Sequence, residues 1–193
     1  MHPNAELINR FYSCFQERDA AGMAACYHPR VRFSDPVFGE LDAAAVRAMW
    51  EMLCERATDL QVELGTVAAN DRAGSAHWEA WYTFSATGRA VHNRIDARFA
   101  FADGTILEHR DRFDLWAWAA QALGSKGRIL GWTPLVQNAI RRQAAAGLAS
   151  FRAKRAAGAS VGGAGGAASD GAAAGSGAAA APAGTGAAAG SAG

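Results

Sequence analysis

The chain has 193 residues, 19 basic and 18 acidic side chains and a net charge of +1, a balance that gives no whole-chain signal for a nucleic-acid partner. All six Trp and all nine Phe lie before residue 156, after which the sequence is almost entirely Ala, Gly and Ser. Such a segment cannot bury enough apolar surface to offset its ordering entropy, so the expected organisation is one domain over 1–155 and a disordered tail over 156–193.

Asn4 is placed to cap a first helix running to about residue 17, because Leu7, Ile8, Phe11, Tyr12 and Phe15 recur at helical spacing. Asp19 caps a short second helix over 20–27, which His28-Pro29 stops. A short strand is predicted at 31–34. Asp42 then caps a third helix over 43–56, with Val46, Met49, Trp50 and Leu53 as its apolar stripe. Long strands follow at 60–69, 75–87, 90–102 and 105–116. Asn70-Asp71-Arg72-Ala73-Gly74, Thr87-Gly88 and Ala102-Asp103-Gly104 separate them, and each suits an antiparallel hairpin. Helices first and a strand meander afterwards predict an α+β fold. The expected form is a cone-shaped, curved antiparallel or mixed sheet packed against the N-terminal helices, with an interior pocket. Beyond it, 117–123 and 135–151 read as helices, parted by Gly124-Ser125-Lys126-Gly127 and Trp132-Thr133-Pro134. This C-terminal helical appendage suits a lid or a dimer contact.

Cys14, Cys26 and Cys54 show no CxxC spacing and read as buried free thiols. No apolar leader and no stretch long enough for a membrane span is visible, so a cytoplasmic location is expected. The end of the domain is locally basic, at Arg141, Arg142, Arg152, Lys154 and Arg155. A solvated helix face is the plain reading, and a polyanion or membrane-surface contact the alternative. His2, His28, His77 and His92 lack metal-ligand spacing, and no nucleotide-binding or serine-nucleophile motif is present, so neither metal nor cofactor is expected.

The candidate chemistry lies in carboxylates on otherwise apolar strands: Asp35 in Arg32-Phe33-Ser34-Asp35-Pro36-Val37, Asp96 in Arg94-Ile95-Asp96, and Asp111 in His109-Arg110-Asp111-Arg112-Phe113-Asp114. A carboxylate aimed into an apolar core is costly unless it is paired or used. His109 shares Asp111's face and could relay a proton. On 75–87 the more apolar set, Trp78, Ala80, Tyr82 and Phe84, is expected to face the cavity, which leaves Glu79 on the outer face. Phe11, Trp50, Tyr82, Phe84, Arg94, Arg98 and Phe113 complete the expected pocket.

In this order and spacing, Arg10-Phe11, Phe33-Ser34-Asp35-Pro36-Val37, Ile95-Asp96 and His109-Arg110-Asp111-Arg112-Phe113-Asp114 resemble the nuclear transport factor 2-like superfamily, in its SnoaL-like branch. The resemblance covers about residues 4–116. The superfamily includes ketosteroid isomerase, limonene epoxide hydrolase, polyketide cyclases and binding proteins without a known reaction. Against the isomerase, Asp35 matches the general base and Asp96 the protonated carboxyl of the oxyanion hole. The oxyanion tyrosine falls on Phe11, which has no hydroxyl, so steroid isomerisation by that route is not expected. Arg94 and Arg98 share Asp96's strand face, which favours an ionised, paired Asp96. Against the epoxide hydrolase, Arg110-Asp111-Arg112-Phe113-Asp114 resembles its Arg-Asp-Tyr-Phe-Asp motif, with Asp111 the matching acid. Its Arg-x-Asp element has no counterpart at Glu79-Ala80-Trp81, whereas Arg94-Ile95-Asp96 has that spacing on the next strand. The resemblance implies a cofactor-independent acid-base enzyme acting on a small apolar carbonyl or epoxide, or else a non-catalytic ligand-binding or dimerisation module. It also implies a homodimer through the outer sheet face.

Overall fold

A computed structural model describes residues 1–161; the part of the expected tail from 162 to 193 lies outside the described residues. The N-terminal layer comprises α1 (Pro3–Gln16), α2 (Ala20–Ala25) and α3 (Ala43–Arg56). Asp19 and Asp42 cap α2 and α3 through carboxylate bonds to the N–H groups of Gly22 and Ala45. The cap of α1 is His2 rather than Asn4: His2 Nδ1 accepts from the Asn4 N–H, with Pro3 in the first turn. The Asn4 side chain is thereby released to donate to Asn70 O at 2.9 Å, tying α1 to a distant hairpin turn.

The sheet has six strands: β1 (Tyr27–Asp35), β2 (Gly39–Leu41), β3 (Gln61–Ala69), β4 (Ala73–Phe84), β5 (Arg89–Ala102) and β6 (Thr105–Arg112), in the order β2-β1-β6-β5-β4-β3. β1 pairs in parallel with β6, and every other neighbouring pair is antiparallel. β1 begins four residues earlier than predicted and runs through Pro29. A register break against β6 between Tyr27 and Arg32 accommodates the missing proline N–H. Asp103 (φ 50°) and Gly104 (φ 71°) make the tight turn that puts Ala102 opposite Thr105.

β6 stops before Trp116, because Asp114 turns the chain and accepts from the Trp116 and Ala117 N–H groups, capping α4 (Leu115–Ala122). α5 (Ser125–Leu130) replaces the predicted loop, and α6 (Pro134–Val161) runs past the expected boundary at 155. Gly127 lets α5 approach α4: a Cβ there would lie 1.8 Å from Ala119 O.

The core fills the space between the helical layer and one sheet face. Ile8, Phe11, Tyr12 and Phe15 from α1 meet Trp78, Ile95, Phe99 and Ile106 from the sheet. Ile140, Ala144, Leu148 and Phe151 of α6 join the same core, and α6 packs along α3. Cys26 and Cys54 are buried and Cys14 is half-buried, all as free thiols. Among the described residues no helix is long and apolar enough to cross a membrane.

Candidate functional site

A cavity of about 70 Å³ lies between the helices and the inner face of the sheet, lined from α1, α3, α4 and strands β1, β4, β5 and β6. Its wall is mostly aromatic and aliphatic, with Phe33, Met49, Trp50, Leu53, Trp78 and Trp118 prominent. Few polar side chains interrupt it: Asp35, Asp111, Asn93 and the Tyr82 hydroxyl.

Asp35 ends β1, where Pro36 forces the chain to turn. The turn folds back, so that Asp35 Oδ1 accepts the N–H of Val37 at 2.9 Å and that of Phe38. Burial raises its carboxyl from the ordinary 3.8 to about 7; the Phe38 N–H opposes the rise, and the negative charge of Asp111 adds to it. A carboxyl poised there can either give or take a proton near neutral pH.

Asp111 reaches the same cavity from β6. His109 precedes it by two residues on the same strand face, and His109 Nε2 lies 3.0 Å from Asp111 Oδ1. His109 Nδ1 lies 2.7 Å from the Tyr27 hydroxyl, which also accepts the Trp50 indole N–H at 2.9 Å. That accounting assigns the tautomer. The Tyr27 proton goes to His109 Nδ1, so the Nε2–H points at Asp111. Burial holds the Tyr27 phenol well above its usual range, which keeps it a proton donor. Phe99, Phe33 and Phe11 enclose the imidazole with ring centroids at 4.5, 5.1 and 5.4 Å. His109 thus stands behind Asp111, outside the cavity wall, and orients one carboxylate oxygen. Among the described residues Oδ2 has no protein donor.

Two further groups are free to meet a ligand. The Asn93 amide projects from β5 with no side-chain partner among the described residues. The Tyr82 hydroxyl accepts the Trp118 indole N–H at 2.7 Å, which strengthens it as a donor of its own proton. Burial raises the Tyr82 phenol above its ordinary 10 and keeps that proton in place.

Of the expected site residues, the structure brings Asp35, Asp111, Trp50, Tyr82 and Phe113 to one cavity, with His109 directly behind. Asp96, Arg94 and Arg98 require correction. They do share a strand face, but it is the outer one. The Asp96 side chain is 79% exposed and Arg94 68%. Burying that face would have sunk three charges. The opposite face offers Val91, Ile95, Ala97 and Phe99, and those side chains went inside. Asp96 is paired, as expected, yet its partner is His77 on β4, at 2.8 Å, and not an arginine. Glu79, beside His92 and Arg94, occupies the same outer face. Phe11 and Phe84 are core rather than wall, Phe84 packing on Trp118 at 5.4 Å between centroids. Tyr27, Asn93 and Trp118 escaped the sequence reading. Asn93 was detectable, since it is in phase with the apolar set 91, 95, 97 and 99.

A family model for the SnoaL-like domain matches residues 8–109, more than half of the chain. Among curated proteins none matches the sequence significantly. Solved structures share the fold. An LEH-like epoxide hydrolase from M. tuberculosis is 15% identical with a TM-score of 0.54, covering 68% of this chain and 96% of its own. TerC, co-crystallised with polyporic acid, is 18% identical with a TM-score of 0.56, covering 63% and 99%. TsrD from Streptomyces laurentii is 20% identical with a TM-score of 0.54, covering 64% and 96%. At these identities the likeness shows the fold alone. The cone accounts for nearly all of each neighbour, while this chain continues beyond it.

Proposed function

Since the chain belongs to the SnoaL-like domain family, we propose that it is a cofactor-independent acid-base enzyme for a small, largely apolar molecule bearing a carbonyl or epoxide oxygen. One observation carries this reading: two carboxyls of unlike environment, Asp35 and Asp111, open onto one apolar cavity. A carboxyl that burial raises to about 7, beside a second carboxyl group on the same wall, supplies the elements of acid-base catalysis. Asp35, with its carboxyl near 7, shuttles the proton at the reacting carbon or oxygen. The second carboxylate, positioned by His109 and Tyr27, holds the polar end of the substrate or a water. Asn93 and Tyr82 supply hydrogen bonds to oxygen charge as it develops. Isomerase, cyclase and epoxide-hydrolase chemistry all fall within this set of roles.

The test is turnover of a panel of small cyclic enones, β-keto compounds and epoxides, followed by mass spectrometry. Turnover should rise or fall with a midpoint near 7 and should drop about 10²- to 10⁴-fold in Asp35→Asn. The limited cavity volume supports a second reading, a ligand-binding module of the same fold. That reading holds if a panel member binds wild type and Asp35→Asn equally and neither converts it. The proposal also includes a homodimer through the outer sheet face, where Trp81 stacks on His92 beside Glu79. Light scattering of wild type and Trp81→Glu tests it.

A further inference from the structure

The helices after the cone carry the largest exposed apolar groups of the folded part. Trp116, Ile129, Leu130, Trp132 and Leu135 are 47–76% exposed. They form one patch. The Trp116 indole N–H donates to Arg128 O at 3.1 Å, and the Trp132 indole N–H donates to Ile129 O at 3.0 Å. Both rings are therefore pinned around α5 with their polar atom satisfied and their carbon surface turned to solvent. Trp116 Cδ1 also lies 3.0 Å from where a Cβ on Gly131 would stand, so the two tryptophans flank the same turn. An apolar cluster of this size on a soluble domain marks an interaction site.

Charge indicates what covers it. From Leu115 to Val161 the sequence has seven Lys and Arg and no Asp or Glu, although Arg152, Lys154 and Arg155 lie roughly 25 Å or more along α6 from Leu135, where Arg155 pairs with Glu51 and Glu55. Lys126 and Arg128 stand exposed on α5 itself, and Arg89 adds a third cation beside it, donating to Gln121 O at 2.8 Å. The nearest acid in sequence, Asp114, is committed to capping α4. Tryptophan and aliphatic side chains with cations beside them match the interface of an anionic bilayer: indoles settle at headgroup depth, aliphatic carbon goes below it, and the cations meet phosphates. A second copy docked face to face would set Lys126 and Arg128 against their own counterparts. A nucleic acid would use the indoles, yet offer no apolar phase to Ile129, Leu130 and Leu135.

We propose that the α4–α6 appendage is a peripheral docking surface for anionic lipid membranes. Its place supports a use. Trp118 lines the cavity while Trp116, two residues earlier on α4, belongs to the patch. Arg141 of α6 donates to Pro36 O at 3.0 Å, on the turn that carries Asp35. The patch and the cavity thus lie on opposite sides of the same helix, so docking would bear on α4, one wall of the cavity. The docking itself does not depend on the acid-base reading.

The test is co-sedimentation of the full chain with phosphatidylcholine vesicles and with the same vesicles doped with phosphatidylglycerol, read together with tryptophan emission. Binding to the doped vesicles alone, with a blue shift and loss at high salt, is the expected result. Lys126→Glu with Arg128→Glu should weaken it by about tenfold or more, each lost cation counting for about fivefold. Ile129→Ser with Leu135→Ser should cost about tenfold per side chain. All four positions are exposed, and an unchanged melting curve shows that the fold is kept. No binding to doped vesicles at low salt overturns the proposal. So does a dimer-to-monomer change in the Ile129→Ser, Leu135→Ser variant with vesicle binding unaltered, which would assign the patch to a second copy.

Discussion

Replacing Asp35 by Asn isolates what burial does to this carboxyl. The side chain is half-buried in an apolar wall, and its carboxyl rises from 3.8 to about 7, because burial and the Asp111 charge outweigh the N–H groups of Phe38 and Val37. In the unfolded chain the proton leaves near 3.8; in the folded chain it is held to about 7. The stabilisation from that proton is therefore complete below 3.8 and is lost as the pH climbs to about 7. Roughly three units at 1.36 kcal/mol each make the loss about 4 kcal/mol. Asn has no proton to lose, nearly the same volume, and an Oδ1 that can still accept from Val37 and Phe38. The variant should therefore match wild type at about pH 4 and exceed it by up to about 4 kcal/mol at about pH 8. In a domain of this size that is a melting-temperature gain of about 10 °C. Circular-dichroism melts of both proteins at the two pH values measure it directly. The same variant should lose turnover, the pattern of a site that trades stability for reactivity. An offset between variant and wild type that is equal at both pH values would refute the account, because it would mean that Asp35 titrates alike in the folded and unfolded chains.

Other perturbations separate the remaining roles. Asp111→Asn should abolish turnover by about 10² to 10⁴ while leaving the fold intact. Removing the charge should also lower the Asp35 midpoint, seen by carboxyl-carbon NMR. Tyr27→Phe strands His109 Nδ1 and the Trp50 indole N–H in the core, and should destabilise by about 1–3 kcal/mol in urea denaturation. Asp96→Asn should leave turnover untouched and lower the His77 midpoint, which Asp96 raises above 6.5. A raised histidine stabilises the fold below its unfolded value and loses that contribution as pH rises through the folded one. Asp96→Asn should therefore matter slightly in acid and not at alkaline pH, the pair being on the surface. Loss of turnover in Asp96→Asn would contradict its outward placement.

Several features follow from residues acting over a few positions. Asp19 and Asp42 begin helices because a short carboxylate reaches N–H groups two or three residues on. Asp103-Gly104 tolerates positive φ and so closes a hairpin. Trp78, Ala80, Tyr82 and Phe84 alternate with the less apolar set His77, Glu79, Trp81 and Thr83, so the phase of β4 was legible, and the parity of His109 with Asp111 was legible for the same reason. β5 carried an equally readable phase: Val91, Ile95, Ala97 and Phe99 against Arg94, Asp96 and Arg98. Likeness to the isomerase pointed Asp96 inward, whereas the cost of burying three charges pointed it outward, and that cost prevailed. Other features were decided only by the tertiary structure. Tyr27 meets His109 across 82 positions of sequence, through the parallel pairing of β1 with β6. Trp118 joins the cavity because α4 packs back on β5 and its indole N–H reaches the Tyr82 hydroxyl, 36 positions away in sequence. Asp35 titrates near 7 because walls from several elements close around it. Local rules set caps, turns and strand phase, since they depend on neighbours along the chain. The dielectric around a carboxyl and the partner of an imidazole depend on neighbours in space, and only packing supplies those.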